Sequence, residues 1–212
     1  MESKMEHSVI KADIDDIDEI IDMFSHCFPY SFKWHAPRFL LRNKWLSHLQ
    51  SGAIEVHVIK INGEVACFYE LVVDIPLFGK ILKKENRLCQ FLSYAYVAVV
   101  HPKCIIPAIE KLIKGIKYVN PNKPISATER TVDITKLAWG EWQGVHSKYR
   151  GIGLSKIMQK HILNRCVELG KDTIKCINDP DNIPVMNLHK SFGYIITNEQ
   201  KHGYVLTKYL NK

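Results

Sequence analysis

The sequence predicts an α/β fold, a mixed central β-sheet flanked by helices, and three observations carry that expectation. An apolar strand-like run ends at Val145, a short turn carries Arg150, Gly151 and Gly153, and an amphipathic helix pattern begins near Leu154. A second run, Thr173 to Ile177, follows that helix, and strands separated by a full helix pair in parallel. Earlier, two strand patterns flank Asn62-Gly63, a dipeptide suited to the positive φ angles of a two-residue hairpin turn. Parallel and antiparallel pairing in one chain of 212 residues, a length suited to one well-buried core, imply a single domain over residues 1–212.

In chain order, Val9 to Ala12 reads as a short strand. Asp13 is a candidate N-cap for a helix with Ile14, Ile17, Ile20, Ile21 and Phe24 on its apolar face. Asp15, Asp16, Asp18 and Glu19 suit the positive end of that helix dipole and need no catalytic role. Pro29 breaks the pattern, and a second helix is expected from about Pro37 to Leu49. The hairpin follows, Ile54 to Ile61 and Val65 to Val73. Phe78 to Gln90 reads as a loop carrying the one local basic cluster, Lys80, Lys83, Lys84 and Arg87. Tyr94 to Val100 is expected to be a buried strand and Ile105 to Ile116 a helix, which together make an extra strand-helix insertion before the strand that reaches Val145. Asn120 to Pro124 marks a turn. Ile157, Met158, His161, Ile162, Arg165, Cys166 and Leu169 trace a helix that Gly170 ends, and Tyr194 to Thr197 and Tyr204 to Tyr209 close the chain as a strand pair.

Composition narrows the function classes. Hydrophobic residues at 46% and charged residues at 24% are ordinary for a soluble globular protein, and no apolar run reaches membrane-spanning length. The polar start, Met1 to His7, lacks a signal-peptide core, so a cytoplasmic location is expected. Six scattered cysteines without a CxxC pair read as buried free thiols, and ten dispersed histidines show no zinc spacing, so no metal is expected. The net charge of +7 is spread along the chain with no recognition helix, which disfavours nucleic acid and suits a polyanionic small molecule.

The stretch Val145 to Ser155 carries the chemistry. Glycines between a strand and a helix let the backbone approach a ligand, and the first-turn N–H groups, which have no intrahelical partner, favour an anion. A Walker loop is excluded because Gly151 and Gly153 stand one residue apart, and Lys156 occupies the place of a third dinucleotide-binding glycine. What the stretch resembles is the acetyl-CoA pyrophosphate loop of the GNAT superfamily of N-acetyltransferases, Arg/Gln-x-x-Gly-x-Gly/Ala after a strand. Arg150 and Gly153 match it, with Ser155 at the last position. Asn182 to Tyr194 resembles the second signature, Asn-x-x-Ala-x-x-x-Tyr-x-x-x-Gly-Phe. Asn182, Gly193 and Tyr194 are in register, Val185 stands at the small-residue position, and His189 stands where many members carry tyrosine.

This resemblance implies the GNAT fold, with a splayed parallel strand pair holding acetyl-CoA as co-substrate. It implies cofactor contacts from Gly144, Val145, His146, Arg150, Gly151, Ile152, Gly153, Leu154, Ser155, Asn182, Val185 and His189. The implied reaction is transfer of acetyl to a primary amine of a small-molecule acceptor, with an anionic acceptor such as a nucleotide-linked amino sugar mildly favoured. A non-catalytic acyl-CoA sensor and an enzyme acting on a protein amine stay open, as do monomer and homodimer. Glu141 is the candidate general base, placed by simple alternation on the face of Gln143 and Val145, with a structural or solvent-facing role as the alternative. His189 is the candidate acid for the departing thiolate, with a plain contact to CoA or solvent as the alternative. In the family the loop and helix after Pro29 flank the acceptor, which brings Tyr30, Phe32, Trp34 and His35 into view as candidate lining, with plain aromatic packing as the alternative.

Overall fold

The computed structural model describes residues 8–29, 35–84, 87–106, 131–200 and 203–210. Its elements in order are β1 (Val9–Lys11), α1 (Ile17–Cys27), α2 (Arg38–Gln50), β2 (Ile54–Ile61), β3 (Glu64–Val72), α3 (Ile75–Lys84) and α4 (Arg87–Val100), then β4 (Leu137–Val145), α5 (Leu154–Glu168), β5 (Thr173–Asn178), α6 (Ile183–Ser191), β6 (Ile195–Gln200) and β7 (Gly203–Tyr209). The seven strands form one sheet in the order β1-β2-β3-β4-β5-β7-β6. Every pairing is antiparallel except β4 with β5.

Local chemistry explains most of these elements. Asn62 and Gly63 take φ values of 54° and 83°, the positive pair that a two-residue turn between right-twisted strands requires. α1 begins three residues later than Asp13 suggests. Asp13 accepts instead from the Asp15 N–H, forming a turn that leaves Ile14 exposed, and Asp16 takes the N-cap position. The helix then buries Ile17, Ile20, Ile21 and Phe24 as its spacing predicts.

The segment after β3 differs most from expectation. Residues 75–84 and 87–100 are helices, so neither a Phe78–Gln90 loop nor a Tyr94–Val100 strand exists, and the extra unit before β4 has no strand among the described residues. The run Tyr-Ala-Tyr-Val-Ala-Val-Val is rich in strand formers. It continues a helix already begun at Arg87, though, and short apolar runs do not distinguish the two periods by themselves. The expected helix to Ile116 is described only at residues 105–106, and the expected turn at 120–124 lies outside the described residues.

Two apolar layers cover the sheet. On one face α1, α2 and α3 pack Ile20, Phe24, Trp45 and Phe78 against Val56, Val58 and Phe68. On the other, α5 sets Leu154, Met158, Ile162 and Cys166 against Cys67, Tyr69, Ala138 and Ile174. Each fully buried aliphatic side chain of this kind is worth about 1.5–3 kcal/mol. Cys27, Cys67, Cys166 and Cys176 are free thiols; the side chains of Cys89 and Cys104 lie outside the described residues. Among the described residues no helix is long and apolar enough to cross a membrane, and no group of three or more His, Cys, Asp or Glu is placed to hold a metal ion.

Candidate active site

The site is a fork in the sheet. β4 and β5 pair only from Leu137↔Thr173 to Gly140↔Cys176. Beyond Gly140, β4 runs on to Val145 paired with β3 alone, and β5 runs on to Asn178 paired with β7. Beyond Gly140 the edge of β4 that faces away from β3 is no longer paired with β5 and borders the fork. An extended amide-bearing chain laid in the fork would run along that edge as an added strand does.

A bulge marks the fork. Glu70 pairs with Trp142 and Leu71 with Gly140, so Glu141 is the extra residue on β4. The bulge breaks the alternation that would group Glu141 with Gln143 and Val145: Trp139 and Trp142 both pack with the α1–α3 layer, while Val145 belongs to the α5 side. Glu141 is half-buried.

At its open end β4 delivers the glycine turn. Gly151 and Gly153 have φ of 86° and 90°, and a Cβ at either would meet nothing within 4 Å, so backbone conformation and not crowding demands glycine there. Gly153 is the N-cap of α5 and provides no side-chain cap; Lys156 and Ile157 both donate to its carbonyl. The N–H groups that open α5 ahead of Lys156 have no intrahelical acceptor and no side-chain cap, which suits a pyrophosphate. Arg150 Nε donates to the Val145 carbonyl at 3.3 Å, and the Cys27 thiol donates to the same oxygen at 3.7 Å. Burial pushes the Cys27 thiol up from its ordinary pKa, so it stays protonated at neutral pH. His146 accepts from the Lys148 N–H and stacks on His26 with ring centres 4.3 Å apart. Gly144 lies beneath Phe68 and Cys27, where a Cβ would come within 2.4 Å of the phenyl ring and 2.8 Å of the sulfur.

The β5 arm carries the second cluster. Asn182 caps α6, its side chain accepting from the Val185 N–H. His189, 3% exposed, sits one turn on: its Nδ1 lies 3.0 Å from the Val185 carbonyl oxygen and 3.0 Å from the Asn178 amide at the end of β5. Its ring meets Tyr194 edge to face at 4.8 Å, and Tyr194 accepts from the Gln159 amide of α5. Burial lowers the His189 pKa, partly offset by the bond to Val185, so the imidazole is neutral at pH 7.

The structure thus gathers Gly144, Val145, His146 and Arg150 to Ser155 at one end of β4, with Glu141 at the bulge, and sets Asn182, Val185 and His189 beyond the opposite arm. Of the residues considered for the acceptor side, Tyr30, Phe32 and Trp34 lie outside the described residues, and His35 Nε2 is 2.9 Å from the Pro29 carbonyl oxygen. Sequence reading missed the contact of Asn178 with His189 and the position of Tyr69 on β3 against Gly140. The one signal for Tyr69 was Gly140 in the middle of a strand, since an interior strand glycine often marks a close approach.

This architecture, a mixed sheet opened between two parallel strands with a glycine turn and helix N-terminus at the mouth, is the GNAT fold. Among solved structures the chain is similar to an N-acetyltransferase from Staphylococcus aureus Mu50, at 11% identity, TM-score 0.60, covering 97% of this chain and 99% of that one. It is similar also to the PaiA N-acetyltransferase of Thermoplasma acidophilum in complex with coenzyme A, at 9% identity, TM-score 0.58 and coverage of 97% and 99%. A third is the yncA protein of Salmonella typhimurium with its cofactor acetyl-CoA, at 12% identity, TM-score 0.58 and coverage of 98% and 95%. No family sequence model matches the chain, and no curated protein matches it.

Proposed function

We propose that this protein is an acetyl-CoA-dependent N-acetyltransferase that moves the acetyl group to a primary amine of a small-molecule acceptor by direct attack. The observation that carries the reading is the fork: β4 loses β5 at Gly140, and the same strand ends in a glycine turn whose helix N-terminus is open. One linear molecule with an amide-bearing arm and a pyrophosphate satisfies both features, and structures of this fold with coenzyme A or acetyl-CoA bound support the choice.

The chemistry follows from the groups at the fork. A free alkyl amine has a pKa of about 10, so its proton must leave before attack. Glu141, at the bulge, takes it directly or through water. Donors aimed at the acyl oxygen stabilise the tetrahedral oxyanion, and holding both reactants in one slot supplies much of the rate. His189, neutral and engaged through Nδ1, holds the end of β5 in place and is a poor proton donor in that state. The net charge of +7 favours an acceptor that carries negative charge.

A second reading, an acyl-CoA sensor without turnover, draws on the burial of His189 at the position where the family places its acid. Free-thiol release from acetyl-CoA against amino sugars, nucleotide-linked amino sugars, polyamines, amino acids and short peptides separates the two. Turnover with one class names the acceptor. Tight acetyl-CoA binding with silence across the panel selects the sensor, and absence of acetyl-CoA binding overturns both.

A further inference from the structure

Tyr69 has no part in the chemistry above, yet its phenol is placed at the fork. It lies on β3 opposite Gln143, on the face covered by α5, and is 2% exposed. The ring leans diagonally across β4, and its hydroxyl oxygen sits 2.1 Å from where a Cβ on residue 140 would stand. The φ angle of Gly140 is not positive, so the phenol and not the backbone is what excludes a side chain there. Gly140 is also the last β4 residue in register with β5, next to the bulge at Glu141. Among the described residues no group hydrogen-bonds to the Tyr69 hydroxyl. A phenol in a core normally finds a partner, and this hydroxyl, which is not among the fully enclosed unpaired polar atoms, is open to one that arrives with the ligand.

We propose that Tyr69 donates a hydrogen bond to the thioester carbonyl oxygen of acetyl-CoA at the fork and holds the oxyanion that forms there; this rests on the acetyltransferase reading above. When the amine adds, the new C–N bond forms as the carbonyl π pair moves onto oxygen, and the Tyr69 O–H meets that charge. The pair returns to re-form the carbonyl while the C–S bond breaks and its electrons leave on sulfur. Tyr69 keeps its proton throughout: the amine proton leaves through Glu141 or water, and the thiolate takes one from solvent. Burial raises the phenol pKa well above its ordinary value, which keeps it a neutral donor across the assay range.

The test does not require the acceptor to be known. Difference infrared spectra of bound acetyl-CoA, with the acetyl carbonyl labelled with carbon-13, report the hydrogen bond on that oxygen. Tyr69→Phe is expected to move the band to higher wavenumber while acetyl-CoA affinity changes less than about threefold. With an accepted amine, kcat falls about 10²–10³-fold, the loss typical of one oxyanion donor, and the shape of the pH profile is kept. A band at the wild-type position overturns the proposal. Loss of the basic limb of the profile also overturns it, because that marks a proton donor. Gly140→Ala, which pushes the phenol aside while retaining it, is a second route to the same band shift if Tyr69→Phe folds poorly. Wild-type protein that binds no acetyl-CoA overturns the acetyltransferase reading instead.

Discussion

Trp139 and Trp142 stand three residues apart on β4 and yet pack on the same side of the sheet, against the layer of α1, α2 and α3. A regular strand sends residues i and i+3 to opposite faces, so the extra residue between them, Glu141, is what makes this possible. The bulge thereby does two things at one point. It keeps both indoles in the core and sets a carboxylate where β4 parts from β5.

Glu141→Gln removes the proposed base and keeps the shape. With an accepted amine, kcat is expected to fall about 10²–10⁴-fold near neutral pH, with acetyl-CoA affinity retained and the acidic limb of the rate profile flattened. Stopped-time thiol assays across pH read this directly. A variant with wild-type kcat moves the base elsewhere.

Gly153→Ala tests the turn. A Cβ meets no atom there, so the whole effect is the cost of holding alanine at a φ of 90°, about 1–2 kcal/mol. Relaxation of that strain also turns the first N–H groups of α5 away from the proposed pyrophosphate position. Calorimetry is expected to record a drop of about tenfold or more in acetyl-CoA and CoA affinity beside the loss of stability.

Glu55 ties three elements together: it accepts from Lys11 at 3.0 Å, from both Arg165 Nε and Nη2 at 2.9 Å, and lies 3.1 Å from His57 Nε2. The Arg165 guanidinium beside it holds its carboxyl well below the usual carboxylate range, burial opposes this, and His57 and Lys11 add to the lowering. A depressed carboxylate pKa means the unfolded chain binds more protons in acid. The stabilisation is full above about pH 4.3, the ordinary glutamate value, and fades as pH falls from there toward the lower folded value. Glu55→Gln is expected to cost about 2–3 kcal/mol at pH 7, less than a fully buried pair because Lys11 is exposed and Arg165 half-buried. The gap to wild type in urea titrations narrows below about pH 4.

His189 moves stability in the same direction in a higher window. Its pKa is lowered by burial, so the unfolded state takes up its proton first as pH falls. Its contribution is present above about pH 6.5, the ordinary histidine value, and is lost as pH drops through the lower folded value. His189→Asn is expected to flatten the decline in melting temperature between pH 7.5 and pH 5.5, in a comparison of thermal scans.

Where the local chain dictates its own geometry, the elements are readable in advance. Asn62-Gly63 forms its turn because few other pairs accept two positive φ values, and Gly151 and Gly153 place the α5 N-terminus for the same reason. The spacing of Ile17, Ile20, Ile21 and Phe24 specifies a buried helix face whatever lies opposite. The start of α1 was legible only to within a turn, because Asp13 and Asp16 are both residue types suited to an N-cap, and Asp16 takes the position while its side chain, which caps no N–H of the helix, bonds to Lys60 on β2.

The sequence by itself determined the hairpin, the strand-turn-helix with its free N–H groups, and the parallel crossover to β5, all properties of backbone conformation and of side-chain period. Tertiary structure alone decided three things. Tyr94 to Val100 became part of a helix, because strand propensity is a preference for packing surfaces and yields to the element the run extends. The alternation of β4 broke at Glu141, because a bulge is a relation between two strands and leaves no mark on one of them. The phenol of Tyr69 came to rest over Gly140, a contact across 71 positions of chain that exists only once β3 and β4 are in register.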